Sequence, residues 1–172
     1  MKNNEIPKIY KNLYISFEIA IAACLCFLLG FYLSGLLHGD ESIIGGFWCL
    51  ITVATILQLS IKDSYEASYQ ILAGSIIGGI TAFIFTSLFG YHYYIMIFAV
   101  ATSVLITSSV GFENAIKMSS ANAGVIVALG LYQPEYPPLL NASLRLIETF
   151  SGTAIALFFI FVSRRFKIRE DR

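Results

Sequence analysis

The chain has 172 residues, of which 57% are hydrophobic and 13% are charged, and its mean hydropathy is +0.75. This composition excludes an ordinary soluble domain and indicates an integral membrane protein. The formal net charge is zero, so total charge says nothing about partners, and no nucleic-acid partner is expected. Because membrane spans use most of the chain, any chemistry is expected among the helices or in short loops.

Six apolar stretches have the length and composition of membrane spans, since about 20 helical residues cross a hydrocarbon core about 30 Å thick. They cover residues 13–37, 43–61, 70–89, 94–110, 119–132 and 140–163, and the fifth is short. Aromatic residues collect near their ends, as in interfacial belts. The predicted fold is therefore an all-α integral membrane protein with one six-helix transmembrane domain over residues 1–172, in contact with the lipid bilayer.

The positive charges lie almost entirely on one side of these six spans. They precede the first span, occupy the second and fourth loops, and follow the last span: Lys2, Lys8, Lys11, Lys62, Lys117, Arg164, Arg165, Lys167, Arg169 and Arg172. The positive-inside rule then predicts that both termini are cytoplasmic. Arg145 is the one basic residue outside this pattern and therefore needs its own explanation.

Glycine spacing in the third span suggests close helix packing. Gly74 and Gly78 have the GxxxG spacing that lets helix backbones approach in lipid, and Gly79 extends this surface of small residues. Gly152 occupies a comparable position in the last span. We predict that all four are packing residues, either within one subunit or across a dimer.

An internal similarity relates the third span to the last. Residues 71–78 can be laid on residues 145–152, and in each segment a hydroxyl residue stands three positions before a glycine. The offset is 74 residues, or three spans, and an odd number of spans inverts the second copy in the membrane. This predicts a 3+3 inverted repeat of the kind common among transporters. Chance similarity between apolar helices is the alternative interpretation.

Arg145 and Glu148 form the sharpest candidate site. They are three positions apart, share a helix face, and lie about 6–10 Å inside the outer boundary at about 1.5 Å per residue. A guanidinium is a bidentate partner for a substrate carboxylate. An adjacent carboxylate can exchange a proton as the guanidinium is occupied or vacated. The competing interpretation is a self-neutralised pair with Arg145 extended towards the interface and no transport role.

Other polar residues in the spans are candidates for a translocation path. Glu18 suits either a proton relay or a structural role at the interface, and Gln58, Asn122 and Thr149 can line a polar path. Trp48 can stack against an aromatic ring, although an interfacial Trp needs no such role.

No feature of the sequence indicates an enzyme, a cofactor or a metal. No nucleotide-binding loop, zinc spacing or nucleophile elbow occurs. Cys24 and Cys26 point to different faces of one helix, so neither a disulfide nor a metal site is indicated. We expect them, and Cys49, to be small packing residues.

Two motifs stand out in the second and last spans. Phe47-Trp48 opens an apolar run that ends in Gln58, and the last span carries Arg145-x-x-Glu148-Thr149-x-x-Gly152. The first motif resembles the opening of the second span in the fusaric acid resistance and aromatic acid exporter superfamily, and the second is similar to that family's last-span motif. In the third span, Ile71 stands where the family has an Arg. The resemblance covers nearly the whole chain.

The resemblance implies proton-coupled export of aromatic or other weak organic acids across a bacterial inner membrane. This chain corresponds to one membrane half, which implies a homodimer if a pathway needs two halves. Arg145 would hold the substrate carboxylate, and Glu148 would compete for Arg145 and carry a proton. A non-transporting subunit or scaffold of a larger complex is the main alternative, and a channel is a third.

Overall fold

The computed structural model describes residues 8–38, 42–58 and 60–166. The described residues contain no β-strand and form six α-helices and one 3-10 turn. The helices are α1 Lys8–His38, α2 Ser42–Ile56, α3 Ile61–Phe89, α4 Tyr93–Ser109, α5 Ile116–Tyr132 and α6 Pro138–Arg165, and the turn is Glu113–Ala115 before α5. The all-helical prediction is confirmed. The basic residues Lys2, Lys167, Arg169 and Arg172, which the topology prediction uses, lie outside the described residues.

Helix lengths divide the six helices into two groups. Four described helical segments are long and apolar enough to cross a membrane, and they correspond to α1, α3, α5 with its preceding turn, and α6. The apolar parts of α2 and α4, Ile43–Ile56 and Tyr93–Ser109, are shorter. A multi-pass helical architecture therefore agrees with the sequence, and six crossings stay a prediction.

The helix bounds differ from the predicted span bounds between the second and third spans. α2 ends at Ile56 rather than at position 61, and α3 begins at Ile61 rather than at position 70. Ser60 is the reason, because its hydroxyl accepts a hydrogen bond from the Asp63 amide at 3.1 Å and caps α3. Asp63 also adds a negative charge in the first turn, where the helix dipole favours it.

The helices pack around α3 and α6. α3 contacts α4, α5 and α6, whereas α6 contacts α1, α2 and α3. One buried apolar cluster joins α1, α2, α3 and α6, and a second joins α3, α4, α5 and the start of α6. This arrangement brings the polar face of α6 against α1 and α2.

Three of the glycines singled out from the sequence lie at close helix contacts inside the subunit. A Cβ on Gly74 or Gly78 would approach the backbone of α5, and one on Gly152 would lie 2.9 Å from the Cys49 carbonyl of α2. A Cβ on Gly79 would make only an ordinary contact of 3.6 Å with Leu146. The tight contacts lie within one chain and do not require a dimer.

Candidate functional site

Arg145 and Glu148 face the interior of the helix bundle. The relative exposure of the two residues is 4% and 1%, and Arg145 Nη1 lies 2.7 Å from Glu148 Oε2. Arg145 is seven positions after the start of α6, or about 10 Å along the helix. The pair is therefore neutralised locally, as the competing interpretation expects, but Arg145 does not extend outward to the interface. It stays packed among helices.

Glu148 has a second partner that the sequence did not indicate. Ser34 Oγ of α1 donates a hydrogen bond of 2.6 Å to Glu148 Oε1. Gly45 of α2 makes room for this contact, because a Cβ there would collide with the Ser34 hydroxyl and lie 2.6 Å from Glu148 Oε1. The carboxylate is thus enclosed by three helices. The only local signals were a serine in an apolar span and the Gly45-Gly46 pair, and neither identifies a partner 114 positions away.

Trp48 and Thr149 border the ion pair. Trp48 Nε1 donates to Thr149 Oγ1 at 3.2 Å, and the Thr149 hydroxyl donates to the Arg145 carbonyl at 2.8 Å. The Arg145 guanidinium carbon lies 6.0 Å from the Trp48 ring centroid, at the limit of a cation–π contact. Four residues singled out from the sequence therefore meet in one place.

The space beside Arg145 towards the start of α6 is small. A cavity of about 20 Å³ lies there, enough for about one water molecule. It is lined by Ile44, Leu129, Gln133, Tyr136, Asn141, Leu144 and Arg145. Nearby, Tyr91 Oη donates to the Tyr136 carbonyl at 3.1 Å. This cavity is too small for an aromatic acid.

Two larger cavities lie at the opposite end of the bundle. They measure about 310 and 350 Å³ and share Glu66 and Gln70. Asp63 lines one of them and Glu113 the other. These carboxylates repel an organic anion, so the larger cavities do not suit a carboxylate binding site.

Glu18 lies apart from the Arg145 pair. It is 5% exposed, and its Oε1 accepts a hydrogen bond of 2.7 Å from Ser163 Oγ. Ser163 is 18 positions after Arg145 on the same helix, which separates the two sites by about 27 Å. Glu18 therefore joins α1 to the end of α6 that is distant from Arg145.

Gln58 is not in a helix, contrary to the predicted span. It follows the end of α2, is exposed, and donates from Nε2 to the Thr55 carbonyl at 2.7 Å. The backbone amide of Gln58 donates to the Ser64 hydroxyl at 2.9 Å. This position makes Gln58 part of the connection between α2 and α3.

Asn122 belongs to a second buried polar cluster. It is fully buried, and its Nδ2 donates to the Ser75 carbonyl at 3.0 Å. Nearby, Thr107 Oγ1 donates to Ser119 Oγ at 2.9 Å. The cluster joins α3, α4 and α5, and it does not include the Arg145 pair.

The contacts between α2 and α6 correspond to those between α5 and α3 at a constant sequence offset. Trp48 bonds Thr149, and the residues 74 positions away, Asn122 and Ser75, are also hydrogen-bonded. Two further contacts have counterparts at the same offset. Gly45 lies against Glu148 as Ser119 lies against Gly74, and Cys49 lies against Gly152 as Ala123 lies against Gly78. Three pairs of contacts therefore share one sequence offset.

Two of the three cysteines are in contact, which the sequence did not indicate. Cys26 and Cys49 are buried free thiols with their sulfur atoms 2.8 Å apart, whereas Cys24 is exposed. They connect α1 to α2 within the apolar core. Among the described residues, no three His, Cys, Asp or Glu side chains are grouped to hold a metal ion.

The family described as fusaric acid resistance protein-like matches residues 21–159. The chain belongs to this family. The matched region includes every residue of the Arg145 site described above. Membership and the apolar helices together identify a multi-pass, transporter-like membrane protein. No curated protein and no solved structure gives a significant match.

Proposed function

We propose that the protein exports aromatic or other weak organic acids across the bacterial inner membrane, coupled to the proton gradient, as a homodimer. The observation that carries this proposal is the buried Arg145–Glu148 pair, held among α1, α2 and α6 within the region matched by the family. Ionisable groups inside a helix bundle commonly mark a transport pathway. Export as the direction, and aromatic acids as the substrate, come from the family resemblance.

Exchange of partners at Arg145 provides the proposed coupling. The guanidinium binds either Glu148 or a substrate carboxylate, and both are bidentate acceptors. When the substrate takes Arg145, Glu148 would be left as a buried, unpaired charge, a change that costs about 3–5 kcal/mol. A proton on Glu148 removes that charge, and Ser34 can then accept a hydrogen bond from the carboxyl group. Release of the substrate reverses these steps.

Trp48 gives the proposed site its preference for aromatic acids. Its ring is half-buried beside Arg145, and its indole nitrogen is fixed by Thr149. A fixed aromatic face next to a guanidinium can accept the ring of an aromatic carboxylate. The site must open before such a substrate enters, because the cavity beside Arg145 is about 20 Å³.

The proposed architecture has six crossings, cytoplasmic termini and a 3+3 inverted repeat. The three contact pairs related by 74 positions support the repeat, since α2 and α6 use the same register as α5 and α3. The distribution of Lys and Arg supports the orientation. In such a repeat the Arg145 site lies in the outer half of the membrane.

The exposed face of α1 is the surface on which the proposed homodimer could form. In the most apolar 18-residue stretch of α1, only 22% is buried inside the protein, compared with 39–44% in the corresponding stretches of the other long segments. Large apolar side chains cover this face, including Leu25, Leu28 and Phe31. It can contact either lipid or a second copy of the chain.

A growth challenge with toxic aromatic acids tests the proposed function. The host lacks its own exporters and expresses wild type, Arg145→Ala or Glu148→Gln at matched levels. Arg164→Ala and Glu113→Gln are matched controls, because they remove the same types of charge at exposed positions. We expect protection by wild type and both controls, and none by the site variants. Equal protection by all five would keep export and reject the site.

A non-transporting subunit or scaffold is the second candidate. The closed site beside Arg145 and the apolar Ile71 at the family's Arg position favour it. If the protein is such a subunit or scaffold, neither the wild type nor any variant protects the host against any acid. Cross-linking in native membranes then identifies a second protein, whereas the exporter requires only copies of this chain.

A further inference from the structure

Ser75 differs from the other buried hydroxyls of α3. The hydroxyls of Ser64, Ser68, Thr81 and Thr86 each donate to the carbonyl four positions earlier. Ser75 is 1% exposed, and its hydroxyl has no hydrogen-bond partner among the described residues. Burial of an unpaired polar group costs about 1–3 kcal/mol. The unused hydroxyl therefore requires a physical explanation.

A second unpaired atom lies on the facing helix. Asn122 is 0% exposed, and its Oδ1 likewise has no hydrogen-bond partner in the part of the chain that is described. Its amide nitrogen donates to the backbone carbonyl of Ser75, which brings the Asn122 side chain against residue 75 of α3. One unused acceptor and one unused hydroxyl are thus buried on two residues that are in contact between α3 and α5.

The position of these two residues corresponds to that of the Arg145 site. Asn122 and Ser75 are each 74 positions from Trp48 and Thr149, which are also hydrogen-bonded to each other. Trp48 is six positions after the start of α2, and Asn122 is six positions after the start of α5. Trp48 and Asn122 therefore lie at the same depth in α2 and α5, and in the proposed inverted repeat they lie in opposite halves of the membrane.

The second position is uncharged. Ile71 and Gly74 stand where Arg145 and Glu148 stand in the other half, and both are buried. An ion placed there would lose its hydration without meeting an opposite charge, and this loss is strongly unfavourable. A neutral group that donates one hydrogen bond and accepts another matches the unused hydrogen-bonding capacity of Asn122 Oδ1 and Ser75 Oγ.

We propose that Ser75 Oγ and Asn122 Oδ1 bind a neutral hydroxyl oxygen, which is either a water molecule or the O–H of a protonated weak acid. The hydroxyl donates to Asn122 Oδ1 and accepts from Ser75 Oγ. This makes the pair a second, uncharged polar site in the cytoplasmic half of the protein. Its place on a transport pathway rests on the proposed function, whereas its ability to bind a hydroxyl does not.

Cysteine labelling in native membranes tests this site. Ser75→Cys and Thr81→Cys are made in the full-length chain and treated with a small water-soluble methanethiosulfonate reagent. Thr81 is the matched control, because it is 3% exposed on the same helix and its hydroxyl is satisfied by Ile77. Peptide mass spectrometry measures the labelled fraction at each introduced cysteine and distinguishes it from labelling of the native cysteines. The reagent attacks thiolates, which need a polar environment, so we expect labelling at position 75 to be at least about ten-fold faster.

Benzoic acid distinguishes the two sources of the hydroxyl. Slower labelling of Ser75→Cys at saturating benzoic acid assigns the site to the acid, and an unchanged rate assigns it to water. Equal, slow labelling of both variants at wild-type expression overturns the proposal. If Ser75→Cys does not accumulate, Asn122→Cys is compared in the same way with Ala123→Cys, since both positions are 0% exposed. A chain that labels as expected but protects against no acid keeps the site and rejects export.

Discussion

The Ser34 hydroxyl lies 2.6 Å from Glu148 Oε1 and joins α1 to α6 across 114 positions of the chain. Arg145 contacts the other carboxylate oxygen. Glu148 therefore has one neutral and one cationic partner, on two different helices of the bundle. Any exchange of Arg145 to another acceptor leaves the Ser34 contact as the remaining restraint on Glu148.

Ser34→Ala should destabilise the protein and weaken export without abolishing it. The substitution leaves a buried carboxylate oxygen without its donor, which costs about 1–3 kcal/mol of the free energy of unfolding. Thermal unfolding in detergent measures the loss as a lower Tm. Ser16→Ala is the control, because that α1 hydroxyl is exposed and bonds only the Asn12 carbonyl. Equal Tm values for the two variants would contradict a structural role for the Ser34 contact.

Gly45→Ala should disrupt the Arg145 site more than other glycine substitutions do. Its Cβ would overlap the Ser34 hydroxyl and press on Glu148. Overpacking of this kind costs about 1–3 kcal/mol, and here it also displaces the carboxylate. We expect loss of protection in the growth assay together with a lower Tm.

Gly79→Ala is the matched control for that substitution. Its Cβ would lie 3.6 Å from Leu146 in ordinary contact, so the change should leave both protection and Tm near wild type. If Gly79→Ala lost protection and Tm while Gly45→Ala kept both, the packing at Gly45 would not limit function.

The hydrophobic pattern was sufficient to predict the all-helical fold, because long apolar stretches have one stable form in lipid. α3 begins nine positions before the predicted third span, and Lys62, Asp63 and Glu66 make its first turns polar. These turns form a helix because Ser60 caps them. Arg145 and Glu148 were found because charge in an apolar span is rare. Ser34 was missed because its role depends on a tertiary contact, which has no local sequence signal.

Tyr91 should make the stability of the protein depend on pH in the alkaline range. It lies between α3 and α4, and burial raises the pKa of its phenol above the usual 10.0, although a hydrogen bond with Asn141 opposes this. A raised pKa in the folded state favours the neutral phenol. The stability that it contributes is therefore complete below pH 10 and is lost as pH rises through the folded-state pKa.

Thermal unfolding of wild type and Tyr91→Phe across pH 8 to 11 checks this dependence. The variant loses the hydrogen bond to the Tyr136 carbonyl, so its Tm should be lower at pH 8. Wild type should lose this advantage towards pH 11, because an ionised phenol cannot donate. Tyr132→Phe, at an exposed tyrosine, controls for general alkaline effects. A constant difference between wild type and Tyr91→Phe would contradict the prediction.

Stability and transport should respond differently to removal of the Arg145–Glu148 pair. Arg145→Ala alone leaves Glu148 buried without a cation, which costs about 3–5 kcal/mol. Glu148→Gln together with Arg145→Ala removes the charge that needs compensation, so Tm should recover much of the loss. Protection against aromatic acids should stay absent in the double variant, because no guanidinium remains to hold a carboxylate. A double variant as unstable as Arg145→Ala would show that the two charges do not compensate each other. A stable double variant that still exports would exclude Arg145 from substrate binding.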